Sequence, residues 1–240
     1  IFLILYTTIS LGQVNTEYLR PTFKINHVKQ SLSLSTNVVK GNSDYISYNI
    51  KYDIDYSNKY FETFTIFSLS EKESDDDLID KYNFIHTRLQ IRQNKKTNIE
   101  YYFQTEYEPF NNLKKRTLHG VGIRKKTVHS DLHIITLGTS IMYENILYTT
   151  LEKESNLRIS NYLTLSKTFK NNLTFKTANY VQPKLNNINN IKLLSTTSLS
   201  IKLKENINLE STLEYSFNSN PYDELKKYDL DLEQGIRLLF

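Results

Sequence analysis

The residues whose types could do chemistry are five histidines, a run of carboxylates and many serines. His129 and His133 are four residues apart, a spacing that places two zinc ligands on one helical turn. They lie in strand- or turn-like sequence, however, and lack the Glu of the H-E-x-x-H pattern. His27, His86 and His119 form no ligand signature either. Glu71, Glu73, Asp75, Asp76 and Asp77 offer the hard oxygens that divalent cations take, without the spaced ligands and turning Gly of a calcium loop. A solvated outer loop is the expectation there. His133 can be put with Ser140 as base and nucleophile of a lipid hydrolase, but no G-x-S-x-G elbow is present. Glycine-rich phosphate loops are absent, and so is cysteine, which removes disulfides, thiolate zinc sites and thiol catalysis. The sequence thus nominates no catalytic residue, no metal site and no cofactor.

What remains is charge, and its placement follows a pattern. The 30 Lys and Arg and 26 Asp and Glu leave a net charge of +4 and are interspersed along the chain. A nucleic-acid binder would gather its cations on one stripe, so no nucleic-acid partner is expected. The charges fall instead on every second residue. Ile46, Tyr48, Ile50, Tyr52, Ile54 and Tyr56 alternate with Ser47, Asn49, Lys51, Asp53 and Asp55. Only the two-residue period of a β-strand keeps two such sets on opposite faces.

Stretches of this kind number about twelve: 30–40, 45–56, 60–70, 83–93, 98–108, 115–125, 132–143, 157–168, 172–182, 191–203, 207–217 and 228–240. Most have the length of roughly 9–11 residues that a tilted strand needs to cross a bilayer. Short turns at Asn58-Lys59, Asn94 to Lys96, Lys170-Asn171 and Lys204 to Asn206 alternate with longer polar connections. The longer ones are Glu71 to Lys81, Pro109 to Leu113, Glu144 to Asn156, Pro183 to Asn190 and Asn218 to Lys226. Short inner turns, long outer loops and an even strand number are the pattern of a bacterial outer-membrane barrel. The expectation is an all-β fold: an antiparallel transmembrane β-barrel of about twelve strands in an up-and-down meander. The mean hydropathy of −0.49 fits a membrane barrel too, because only alternate residues face lipid.

With apolar residues facing out, the lumen acquires Arg88, Arg92, Glu100, Tyr102, Gln104, Glu106, Arg116, Arg124, Glu210, Glu214, Glu233 and Arg237. His86, Gln90, Arg158, Lys176, Lys202 and Asp231 fall on the same face. Hairpin pairing across Asn94–Lys96 sets Arg92 opposite Glu100 and Arg88 opposite Gln104. The next hairpin sets Glu106 near Arg116 and Tyr102 near Gly120, where the ring can cover the glycine. This set reads equally as a selective water-filled pore and as a charge-paired plug, since about twelve strands lies between filled and open barrels.

The ends complete the pattern. Residues 1–12 carry an uncharged apolar run with Ser10 and Gly12 before Gln13, the expected core and cleavage site of a secretory signal peptide that lacks its basic start and Met. Residues 13–29 are expected to form a short periplasmic segment and 30–240 the barrel. The final stretch alternates to a C-terminal Phe240, which resembles the signal that outer-membrane proteins present to their assembly machinery.

The segment Gln13 to Arg20, the strand Gly120 to Arg124 and the closing strand together resemble the YdiY-like outer-membrane proteins, a family of unknown function, in versions found in Bacteroidota-type bacteria. The resemblance implies an outer-membrane barrel and supplies no catalytic residues. The expected role is therefore a small pore or transport barrel, or a structural envelope protein. An outer-membrane lipid hydrolase and a soluble periplasmic β-sheet binding protein are the alternatives. The expected surroundings are outer-membrane lipid, lipopolysaccharide and the barrel-assembly machinery, with the oligomeric state left open.

Overall fold

In a computed structural model the chain forms one closed sheet of twelve strands. The structure describes residues 26–39, 45–75, 77–130, 132–169, 172–222 and 225–240. The expected leader, 1–12, and most of the segment 13–29 lie outside the described residues, as do residues 40–44 between the first two strands.

The strands are β1 (His27–Val39), β2 (Tyr45–Ser57), β3 (Phe61–Ser74), β4 (Asp77–Arg92), β5 (Thr97–Glu108) and β6 (Leu113–His129). They continue as β7 (His133–Tyr148), β8 (Lys153–Phe169), β9 (Leu173–Lys184), β10 (Asn187–Lys204), β11 (Ile207–Asn218) and β12 (Tyr228–Leu239). Each pairs antiparallel with its sequence neighbours, and β12 returns to pair with β1, so the meander closes without a crossover. Closure leaves no unpaired sheet edge, the condition for a sheet to stand in lipid. The seam joins Ser31–Ser35 of β1 to Gly235–Leu239 of β12, and the Phe240 amide donates to the Gln30 carbonyl at 2.9 Å.

All twelve expected strands are present, but they run further than the sequence suggested at the end away from the termini. β3 and β4 extend through the expected loop at Glu71–Lys81, where Glu71 sits opposite Lys81 and Lys72 opposite Asp80. The Lys81–Glu71 ion pair, 2.7 Å long, replaces the apolar alternation that marks the rest of the strand. In the same way β7, β8 and β10 reach into the stretches expected to be loops, while β6 runs on to His129 at the end that holds the termini. At the other end β1 starts at His27, inside the segment expected to precede the barrel.

The alternation resolves into an apolar outer wall and a mostly polar interior. Tyr48, Ile50 and Ile54 of β2 are exposed outward, while Ser47, Asp53, Asp55 and Ser57 are buried inward. The interior is not polar throughout. Phe64, Ile66, Phe84, Tyr162, Ala178, Tyr180 and Leu194 form one buried cluster inside the barrel. Apolar residues on the inward face are a departure from the simple rule of apolar out and polar in. Their positions explain it: β3 and β9 stand on opposite sides of the ring, so the cluster spans the lumen.

Candidate functional site: a filled lumen

Three groups of side chains fill the interior, and each is built by strand register. At mid-height, Arg88 of β4 is fully enclosed. It lies 3.4 Å from Glu100 of β5, with its guanidinium 4.9 Å from the Tyr102 ring centre and 5.8 Å from that of Tyr162. The Tyr162 hydroxyl of β8 donates to the same Glu100 carboxylate at 2.9 Å. His86 stacks between Phe84 and Tyr102 and meets Gln104 at 3.1 Å through Nδ1. A buried cation, a carboxylate and aromatic faces together lower one another's desolvation cost.

Glycines make room for the two tyrosine rings. Tyr102 stands opposite Gly120 and Tyr162 opposite Gly138. A Cβ on Gly120 would sit 2.0 Å from Tyr102 Cζ, and one on Gly138 would sit 2.1 Å from Tyr162 Cζ. Each ring therefore lies flat over a bare backbone, which turns its hydroxyl along the wall. Tyr102 Oη meets Ser140 Oγ at 3.0 Å.

Toward the end away from the termini, Glu144 of β7 gathers the cations. It accepts from Arg116 Nε at 2.7 Å, Arg158 Nε at 2.9 Å, Lys192 Nζ at 2.8 Å and Asn156 Nδ2 at 3.3 Å. Arg116 also reaches Glu106 at 2.6 Å, and Arg158 donates to the Asn190 carbonyl and side chain. Above this group Tyr222, from the connection between β11 and β12, stacks on Tyr148 with ring centres 3.8 Å apart. A cavity of about 20 Å³ lined by Arg116, Tyr148, Arg158, Lys192 and Tyr222 lies between them, room for about one water.

The third group ties the seam. Arg237 of β12 passes over β1, donating to Ser31 Oγ at 2.9 Å, and reaches Asp53 Oδ2 of β2 at 2.8 Å. Ser31 also donates to Asp53, and Glu210 of β11 lies 3.5 Å from the same guanidinium. Only small residues on β1 allow the long side chain to cross, and Ser31, Ser33 and Ser35 are the inward positions there.

The twelve residues expected to line the lumen all stand on inward-facing positions of their strands, but not in the partnerships expected for β4 and β5. Arg92 stands opposite Asn98, Gln90 opposite Glu100, Arg88 opposite Tyr102 and His86 opposite Gln104. The register is shifted by two residues from the expected one because the turn is tighter: Arg92 opposite Asn98 encloses five residues where Arg92 opposite Glu100 would enclose seven, and Asn94 Oδ1 accepts from the amides of Lys96 and Thr97. Arg92 turns instead to Glu62 of β3 at 2.7 Å. Glu106 opposite Arg116 and Tyr102 opposite Gly120 have the registers expected. Arg124 lies 3.5 Å from Thr136 Oγ1, and Glu214 stands opposite Asp231 and Glu233 opposite Thr212. Asp231 and Lys202 are exposed near the ends of the barrel.

Glu144, Lys192 and Asp53 are missing from the expected set. Glu144 was placed in a loop, although continued alternation through Met142, Glu144, Ile146 and Tyr148 carries the strand past it. His133 and Ser140, the conceivable base and nucleophile, are on opposite faces of β7, one exposed and one buried, and about 20 Å apart along the strand. Among the described residues no group of three or more His, Asp or Glu is placed to hold a metal ion.

The fold and its filled interior define a closed, twelve-stranded antiparallel β-barrel. The chain belongs to the family described as protein of unknown function DUF481, whose sequence profile matches residues 32–237. No curated protein matches the sequence. Among solved structures it is similar to the NanC porin, at 7% identity and a TM-score of 0.57, over 88% of this chain and 99% of that one. It also aligns with the KdgM porin, at 12% identity and a TM-score of 0.47, over 88% and 99% of the two chains. These likenesses are of fold.

Proposed function

We propose that the protein is a bacterial outer-membrane barrel whose resting lumen is closed by its own side chains, serving the envelope as a structural barrel and not as an open diffusion pore. The observation that carries this reading is the bridge at mid-height: Arg88, Glu100 and Tyr162 join walls three and more strands apart, beside an apolar cluster that spans the ring. Placement in the membrane is supported by the exposed apolar wall, strands of 12–18 residues and the absence of a free sheet edge. Residues 1–12 would act as the export leader, and the last strand with Phe240 as the element read by the assembly machinery. Lipid and lipopolysaccharide would surround the wall.

The test is conductance. Full-length protein refolded into planar bilayers should show no steady current across ±200 mV (a range of about ±5 kcal/mol per charge). Reproducible ohmic steps would overturn the closed-barrel reading. Hydrolysis of added phospholipid, with and without calcium, would move the assignment to an enzyme.

A further inference from the structure

The two rims of the barrel differ in charge. At the end that holds the termini, each of the five connections between strands has an exposed or half-buried lysine in its turn or just before it. These are Lys59 after β2, Lys95 and Lys96 between β4 and β5, Lys125 on β6, Lys167 on β8 and Lys204 on β10. Register keeps the strand-borne ones at the feet of their strands: Lys125 stands opposite Thr97, and Lys167 opposite His133, the first residue of β7. The nearby carboxylates of Asp55 and Glu62 are buried in the lumen. Among the described residues, Glu205 is the one exposed acidic side chain at this end. The opposite rim mixes signs, with Glu73, Asp75, Asp77 and Glu152 exposed beside Lys114, Lys115 and Lys153.

The lysines begin where the apolar wall ends. Toward the termini, the outward positions run Val121, Ile123, Lys125 on β6 and Leu163, Leu165, Lys167 on β8. On β10, Lys204 follows the exposed Ile201 and Leu203. Aromatic rings mark the same boundary. The Lys59 ammonium lies 4.7 Å from the Tyr60 ring centre and the Lys167 ammonium 4.7 Å from that of Phe169, and both rings are exposed. Exposed rings at the edge of an apolar wall sit at headgroup depth. Ammonium groups on long stems beside them are within reach of lipid phosphates.

From this we infer that the lysine rim binds net-anionic phospholipid headgroups in the leaflet on the side of the termini. The inference rests on the membrane-barrel reading. A zwitterionic headgroup carries its own ammonium beside the phosphate, which reduces what a lysine gains there, whereas a net-anionic headgroup does not. A single lysine at an anionic lipid surface favours binding about fivefold. The six cations are spread around the ring from β2 to β11 and are not gathered on one face. A protein partner would meet one face, but a leaflet surrounds the whole wall, so the spacing fits lipid.

The experiment uses the full chain refolded into phosphatidylcholine vesicles that contain a trace of spin-labelled lipid. Electron spin resonance separates lipid held at the protein wall from bulk lipid. Spin-labelled phosphatidylglycerol should be held at least about threefold more strongly than spin-labelled phosphatidylcholine. Salt at about 1 M, where charges are screened beyond about 3 Å, should bring the ratio close to one. Changing the six lysines together to Gln should abolish the preference while keeping the gel shift between unboiled and boiled protein. Lys114→Gln, Lys115→Gln and Lys153→Gln together, at the other rim, should leave it intact. A native ratio near one, a ratio indifferent to salt, or equal losses in the two variants overturns the inference. Native barrels that show no lipid preference and bind polyphosphate overturn it in favour of a soluble polyanion. If the six-lysine variant loses its gel shift, the salt series on the native chain decides. A native chain with no gel shift that washes off the membrane removes the barrel reading itself, and this inference with it.

Discussion

The Tyr162 hydroxyl donates to Glu100 at 2.9 Å, joining β8 to β5 across the interior of the barrel. The same carboxylate sits 3.4 Å from Arg88, so one acceptor serves a cation and a phenol that come from different walls. Removing the acceptor and removing the phenol therefore have different costs. Glu100→Ala leaves a buried guanidinium without its counter-charge and is expected to destabilise the barrel by roughly 3–5 kcal/mol. Tyr162→Phe loses one hydrogen bond and should cost about 1–2 kcal/mol. Guanidinium unfolding in lipid vesicles measures both. In planar bilayers the Arg88→Ala/Tyr162→Ala variant should show current steps absent from the native chain.

Gly120 and Tyr102 form a pair in which neither can change alone. A methyl at position 120 would overlap the ring, so Gly120→Ala should cost about 1–3 kcal/mol. In a Tyr102→Ala background the same substitution should be close to neutral. A double-mutant cycle showing no coupling would mean that the ring does not lie where the register places it.

Glu144 holds three cations, whereas Glu210 meets one at 3.5 Å and is part exposed. Glu144→Gln is expected to be several-fold more damaging than Glu210→Gln to the yield of heat-modifiable barrel. Equal yields would show that water reaches the Glu144 group freely.

The wall can be tested by a neighbouring pair on β2. Ile50 faces outward at mid-strand and Asn49 inward. Ile50→Arg should cost roughly 2–4 kcal/mol in lipid, and Asn49→Arg far less, because an inward charge can be hydrated or paired. Vesicle-refolding titrations check the difference.

Much of this architecture was legible in the sequence, and the parts that were not share one cause. Strand number, direction and facing follow from a period of two, a local signal that β2 and β12 carry plainly. The register was readable for Glu106 and Arg116 across the Pro109–Leu113 connection, and failed at Gln93–Lys96, where the turn closes with two residues fewer than the expected pairing needed. Strand ends rich in paired charge, Glu71 with Lys81, look like loops because their partner is visible only after folding. The Gly138–Tyr162 overlap escaped because the β7–β8 connection was read as long. The closed lumen was out of reach altogether. Phe64 and Tyr180 meet only when the ring closes with a particular stagger, and no pair of neighbouring strands records that.

The arginine that crosses the β1 strand also orders events in time. Arg237 and Asp53 are 184 residues apart in the chain, so their contact, like the β1–β12 seam it crosses, carries one of the higher loop-closure costs in the barrel and is expected to form late. Until it forms, the sheet is an open curved sheet whose concave side is in water. Its many charges can therefore travel to the membrane hydrated, and shed that water in one concerted step as the first and last strands zip together. On this view the three serines of β1 are a landing strip, kept low so that the last side chain to arrive can lie down across them.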